Sequence, residues 1–378
     1  MISRQILPQL ATDLAQPGKA VLLYGARRVG KTTLVRTLLS SVTGRVLEVN
    51  ADELRVGSWL SARDLRRLRE ELTGYDTLFV DEAQRIPEIG ITLKLIVDNL
   101  PIRVIATGSS SLELASQTRE SLTGRAWTHQ LFPIGICELA QIQTIHELKE
   151  TLPERLVYGG YPEVVGIPSR QGRERYLREL VSSYLYKDVL ELADVRHPLK
   201  LPLLLRLLAF QTGQEVSYAE LGTQLGMTRD TVLSYISLLE QSFVLFRLHG
   251  FSRNLRKEIS KRDKIFFWDN GVRNALIDDF KSLDDRFDHG QLWENFMISE
   301  RRKWMTYSRG QHSAWFWRTP GGSEVDLVEE YDGQIHAFEY KWGASKARSP
   351  LAFTTTYPAA TFAVIRPDGF WSHVSAKS

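Results

Sequence analysis

Between residues 20 and about 132, short apolar runs alternate with stretches whose apolar positions recur every three to four residues. The runs Ala20–Tyr24, Arg45–Asn50, Thr77–Asp81, Arg103–Thr107 and Trp127–Phe132 predict strands, and Ala62–Leu72 and Glu88–Leu100 predict helices between them. Residues 2–15 predict a short amphipathic helix through Ile6, Leu7, Leu10 and Leu14. Such alternation implies a mostly parallel sheet with helices on both faces and ligand sites at the strand C-terminal ends. From 136 to 213 the spacing turns helical. Its clearest element is Arg173–Ala193, with a stripe of Leu177, Leu180, Val181, Tyr184 and Leu185, and Gly159-Gly160-Tyr161-Pro162 reads as a turn.

Ser217-Tyr218-Ala219-Glu220 is a capping box that opens a helix to Leu225, and Gly226 makes the turn. Thr228 opens a second helix to about Ser242, with Val232, Tyr235, Ile236 and Leu239 facing a core. The runs Phe243–Leu248 and Lys264–Trp268 then predict two strands. Helix, turn, helix and hairpin form a winged-helix pattern. Its connection carries Arg253, Arg256, Lys257, Lys261 and Arg262, which suits phosphate contacts on DNA. The second helix offers only Arg229, and winged helices also serve as packing modules. Residues 291–366 predict a helix that includes Leu292–Phe296, then strands Ala314–Arg318, Ser323–Glu329 and Ile335–Lys341, a helix, and a last strand Thr361–Arg366. Four units follow: 1–135, 136–213, 214–285 and 286–378.

Composition narrows the class only a little. The 378 residues carry a net charge of +3, which permits a nucleic-acid partner without arguing for one. Cys137 is the single cysteine, so an intramolecular disulfide framework is excluded and a reducing compartment fits. With no apolar stretch long enough for a bilayer and no signal peptide, the expected location is the cytoplasm, with no membrane partner.

The first candidate chemistry follows the first predicted strand. Gly25-Ala26-Arg27-Arg28-Val29-Gly30-Lys31-Thr32 has the spacing of a phosphate-binding loop, and Thr33 continues into a helix with Leu34, Val35, Leu38 and Leu39 on one face. Glycines let backbone N–H groups turn toward phosphate oxygens, and the helix N-terminus adds partial positive charge. Lys31 is expected to reach the β- and γ-phosphates of ATP, and Thr32 to ligate Mg²⁺. The third strand ends in Val80-Asp81-Glu82-Ala83-Gln84, which resembles a Walker B motif: Asp81 holds the metal and Glu82 polarises the attacking water. Ser109 or Ser110, after the fourth strand, suits a γ-phosphate sensor, and equally an N-cap. Arg125 could present its guanidinium to a phosphate, in cis or from a neighbouring subunit, with Arg119 as competitor.

The second candidate lies near the C-terminus. A two-residue turn at Asp332-Gly333 sets Asp326 directly opposite Glu339, about 5 Å away on one face. Like charges opposed across a ladder are unfavourable, and a divalent cation between them removes the penalty. Lys341, two residues beyond Glu339, shares that face, and Glu294 on the preceding helix could complete the ligand set. Solvent-facing charges, with Lys341 pairing an acid, are the plainer alternative. Oxygen ligands of this kind suit Mg²⁺ or Mn²⁺.

The stretches Gly25–Thr32, Val80–Gln84, Thr107–Ser111, Leu122–Arg125 and Gly159–Pro162, with the C-terminal acids, resemble a prokaryotic AAA-type P-loop ATPase family. That family joins the ATPase to a winged helix and a restriction-endonuclease-like end. The resemblance implies an α/β P-loop core, a helical lid holding Gly159–Pro162, a winged helix and a C-terminal α/β domain. Glu294, Asp326, Glu339 and Lys341 resemble the PD-(D/E)XK nuclease core, which implies metal-assisted phosphodiester hydrolysis with Lys341 stabilising charge. Ring assembly is implied only by resemblance, and hexamer and monomer both stay open. The expected function is ATP hydrolysis acting on DNA. Its rivals are a nucleotide-dependent switch whose end domain only binds, and a small-molecule kinase, which Glu82 disfavours.

Overall fold

The computed structural model describes residues 2–109, 122–185, 198–252, 263–309, 313–331, 333–343 and 348–375. Ser110, Arg119, the far end of the helix expected to reach Ala193, the five basic residues between 253 and 262, and Asp332 lie outside them.

Five strands, β1 (Ala20–Tyr24), β2 (Val46–Asn50), β3 (Thr77–Asp81), β4 (Arg103–Gly108) and β5 (Ala126–Gln130), form a parallel sheet in the order β2-β3-β4-β1-β5. Parallel strands need crossovers, so both faces are covered and the central strands read as unbroken apolar runs. Ala20, Leu22, Leu78, Val80, Val104 and Ala106 pack toward the helices Leu54–Leu60, Leu65–Leu72 and Ile89–Asn99. Val21, Leu23, Phe79 and Ile105 pack the other way, under Leu7–Leu14 and Lys31–Leu39. The helix expected from Ala62 starts at Leu65, because the Asp64 carboxylate caps it by accepting from the Arg66 N–H at 2.9 Å.

The helical region departs from the sequence expectation at one point. An α-helix over Arg170–Glu179 widens into π-type turns at Leu180–Leu185, so one continuous α-helix from Arg173 is corrected. The five-residue repeat of those turns keeps Leu180 and Leu185 in the same core as Leu177 and Val181.

Helices Tyr218–Leu225 and Arg229–Gln241 are capped by Ser217 and Thr228. The remaining strands are β6 (Glu215–Val216), β7 (Leu245–Gly250), β8 (Asp263–Phe267), β9 (Ser313–Arg318), β10 (Glu324–Tyr331), β11 (Gln334–Tyr340) and β12 (Thr361–Ile365). All seven belong to one sheet, ordered β12-β11-β10-β9-β7-β8-β6. The parallel pairing of His249 and Gly250 with Trp315 and Phe316 makes that join. The boundary expected at 285/286 therefore does not separate two sheets. The helix His289–Arg309 lies against it, with Trp293, Phe296 and Met297 in a core that also takes Phe246, Phe266, Phe316 and Phe338. Among the described residues no helix is long and apolar enough to cross a membrane.

Candidate functional site

Because β4 lies between β3 and β1, the ends of all three strands meet at one edge of the parallel sheet. Leu131 N–H donates to the Tyr24 carbonyl at 2.7 Å, and a Cβ on Gly25 would stand 2.2 Å from the Leu131 carbonyl oxygen. Only glycine lets the chain leave β1 that closely. Left-handed backbone at Arg28 (φ +66°) and Gly30 (φ +94°) curls the loop so that successive N–H groups can face one centre. Lys31, 5% exposed, donates from Nζ to the carbonyls of Gly25 (2.8 Å) and Ala26 (3.0 Å). The Thr32 hydroxyl donates to Asp81 Oδ2 at 2.8 Å. Thr33, one residue further along the helix, is exposed.

Thr107, next to last in β4, is central here, although the sequence pattern marks it only as part of the Thr107–Ser111 stretch. Its hydroxyl donates to the other Asp81 oxygen and accepts from the Glu82 N–H at 3.3 Å. Glu82 itself has left-handed backbone (φ +52°), which costs on the order of 1 kcal/mol and turns its carboxylate sharply off the strand. The Gln84 amide donates both to that carboxylate and to the Ser109 hydroxyl, the latter at 2.9 Å. The structure thus assembles Lys31, Thr32, Asp81, Glu82 and Ser109.

Arg125 is a correction. It immediately precedes β5, whose first residue pairs with Ala20 at the start of β1, while the loop lies past Tyr24. Five residues of strand separate those ends by about 16 Å. Arg125 pairs instead with Asp98 at 2.5 Å, so it is not a phosphate ligand within its own chain. Arg28 approaches Glu163, at 3.9 Å.

A missed residue braces the loop from behind. Arg4 is buried and donates from Nε to Glu138 (2.8 Å) and from its two terminal nitrogens to the carbonyls of Val29 (2.8 Å) and Phe132 (2.5 Å). Burial opposes its charge, but Tyr307 and Glu138 together hold the guanidinium pKa above its ordinary value.

In the C-terminal region the hairpin has the register read from the sequence. Leu327 pairs with Phe338 and Tyr331 with Gln334, which makes Asp326 and Glu339 the next positions on the ladder. On its other edge β10 bulges: Asp326 and Leu327 together face Phe316 of β9. The bulge lets the Asp326 carboxylate accept the Tyr340 N–H at 2.8 Å. Lys341 pairs with Glu339 at 2.6 Å. Burial, with Glu294 and Glu339 nearby, pushes the Asp326 carboxyl well above the ordinary carboxylate range.

The expected metal set is not assembled. Among the described residues no three His, Cys, Asp or Glu side chains converge as a metal-binding group. Lys264 of β8 supplies the reason. It is 2% exposed, donates to Glu294 at 3.1 Å and pairs with Glu324. Glu294, Asp326 and Glu339 are therefore corrected as a shared ligand set: Glu294 is turned to an ammonium, Asp326 to a backbone N–H, and Glu339 to Lys341.

Residues 17–140 match the family described as AAA domain. They form an AAA-type P-loop ATPase domain. Residues 149–283 and 289–366 match two domains of unknown function, DUF8612 and DUF4143. An uncharacterized protein of Mycobacterium tuberculosis is 28% identical over 358 residues, covering 92% of this chain and 76% of that protein. An uncharacterized protein of Methanocaldococcus jannaschii is 23% identical over 314 residues, covering 76% and 67%. The solved Walker-type ATPase PABY2304 of Pyrococcus abyssi is 17% identical, with TM-score 0.49 over 73% of this chain and 96% of that one.

The ATPase domain is fastened to the rest of the chain by its exit segment. Ile134 N–H donates to the Gly160 carbonyl at 2.7 Å, and Gly160 N–H donates to the buried Asp269 carboxylate, also at 2.7 Å. A Cβ on Gly160 would stand 2.3 Å from the Ile134 carbonyl oxygen, and one on Gly159 2.1 Å from Asp269. Close packing, which no sequence pattern announced, is what Gly159-Gly160 supplies. A cleft opens beside Ala26 and Arg27 of the ATPase domain, walled by Tyr161, Leu185, Phe243 and Trp268.

Proposed function

We propose that this chain is an ATP-hydrolysing switch that acts on DNA, with its C-terminal domain as a binding platform. The observation that carries the reading is the convergence of Lys31, Thr32, Asp81, Glu82 and Thr107 at one sheet edge. Lys31 would exchange the carbonyls of Gly25 and Ala26 for triphosphate oxygens, and the loop N–H groups would take the rest. Thr32 and Asp81 are already in contact and would hold Mg²⁺, which neutralises phosphate charge when bound. Glu82, steadied by Gln84, would orient and polarise the attacking water.

A nucleotide seated on the loop would adjoin the narrow cleft beside Ala26 and Arg27. Its walls come from the ATPase domain, from Tyr161 and Leu185 of the helical region, and from Phe243 and Trp268 around the hairpin. A ligand touching all three has the differential contacts that a switch requires. The DNA partner is supported by the basic residues Arg253, Arg256, Lys257, Lys261 and Arg262. Phosphodiester hydrolysis lies outside this reading, because Lys264 already pairs with Glu294, one of the acids that a catalytic metal would need.

Calorimetric titration with ATP and steady-state hydrolysis assays test the proposal on wild type, Lys31→Ala and Glu82→Gln. DNA binding is measured with and without ATP, and again with the five basic residues changed to alanine. Wild type should bind and turn over ATP, Lys31→Ala should lose binding, and nucleotide should change DNA affinity. ATP turnover that Lys31→Ala leaves intact would sink the reading.

A further inference from the structure

Four carboxylates of the C-terminal region lie close enough to feel one another: Glu294, Glu324, Asp326 and Glu339. Such a group must find positive charge or protonate, because burying several anions together is prohibitively costly. The chain supplies that charge from an unexpected direction. Lys264 stands near the loop end of the β7–β8 hairpin, opposite Leu248 and Glu215 in the sheet. Its ammonium is buried, hydrogen-bonded to Glu294 at 3.1 Å, paired with Glu324, and near the Phe316 ring. Arg318, at 3.5 Å, bridges Glu324 to Glu215. Lys341 takes one oxygen of Glu339, whose other oxygen is buried with no partner among the described residues.

We propose that Lys264 is the resident counter-ion of this cluster and stands in for a divalent cation, so that the C-terminal domain takes up Mg²⁺ or Mn²⁺ only when the lysine is removed. The position of β8 makes the substitution permanent. It is held between β7 and β6 inside the seven-stranded sheet, so withdrawing Lys264 would mean breaking ladder hydrogen bonds on both sides. A dication and a buried ammonium against the same carboxylates repel at contact distance, and the ammonium, being covalently attached, has the advantage. This inference is independent of the ATPase reading.

The test is nucleotide-free Mn²⁺ binding at pH 8 by full-length chains, read as loss of the free-ion paramagnetic resonance signal. Wild type, Asp326→Asn, Lys264→Met and Lys264→Met/Asp326→Asn are compared, with circular dichroism as the fold control. Wild type and Asp326→Asn should be indistinguishable. Lys264→Met should bind one additional Mn²⁺ with affinity raised at least about a hundredfold, since a unit charge in contact with the ion is gone. The double variant should lose that ion. A wild-type Mn²⁺ site that Asp326→Asn abolishes would overturn the proposal, as would a folded Lys264→Met chain that gains none. Should Lys264→Met fail to fold, the comparison of wild type with Asp326→Asn still decides.

Discussion

The Arg4 guanidinium donates to the Val29 carbonyl across 2.8 Å, linking the first few residues of the chain to the back of the phosphate-binding loop. The same side chain holds Phe132 and Glu138, so removing it takes a donor from two carbonyls and leaves the buried Glu138 carboxylate with the Gln5 and Gly135 N–H groups but without its guanidinium. Arg4→Met should therefore lower unfolding stability by about 3–5 kcal/mol, the range for a broken buried pair. Denaturant melts would measure this, and the Arg4→Met/Glu138→Gln double variant should recover part of the loss.

The proposed function gives Glu82 a role in water activation rather than in triphosphate binding. Glu82→Gln should reduce kcat for ATP by about a hundredfold or more while leaving the binding heat intact. Single-turnover hydrolysis alongside calorimetry separates the two. Equal loss of affinity and turnover would assign Glu82 to binding instead.

Gly160 has no space for a side chain. With a Cβ only 2.3 Å from the Ile134 carbonyl oxygen, Gly160→Ala must push the ATPase domain away from Asp269. A cost of about 1–3 kcal/mol is expected from overpacking of this kind. Thermal melts of Gly160→Ala and, as a roomy control, Gly166→Ala would show it, since nothing lies within 4 Å of a Cβ at Gly166.

Acid stability should depend on Asp288. Burial pushes its carboxyl up, but hydrogen bonds from Arg286 and the charge of Arg273 win and hold it down at about 2. A depressed carboxylate stabilises the fold above its ordinary pKa near 3.8, and that contribution disappears as pH falls toward 2. Asp288→Asn should cost about 2 kcal/mol at neutral pH and flatten the loss of stability between pH 4 and 2. Parallel acid titrations of both proteins, followed by circular dichroism, would reveal a residual slope if the assignment is wrong.

The features that the sequence made legible are local. Gly25 to Thr32 needs only a strand before it and a helix after it, and the β10–β11 register needs only a short turn. What escaped depends on segments far apart in the chain. Arg4 is a lone arginine in a short helical stretch, and its partners lie 25 to 134 residues away. Thr107 looks like one more β-branched strand residue until β4 is seen to separate β3 from β1. Arg125 could not be placed from the sequence, because only the pairing of Ala126 with Ala20 shows that it sits at the end of the sheet away from the loop. Lys264 left a faint trace, a charge alternating with Phe266 on an inward face, but its acids come from other elements.

The parallel contact between β7 and β9 has a practical corollary for anyone who would dissect this molecule. A cut near residue 286 leaves two partial sheets, each with a naked rim of N–H and C=O groups eager to pair. Fragments made separately should clump, and fragments made together should find each other and heal the wound.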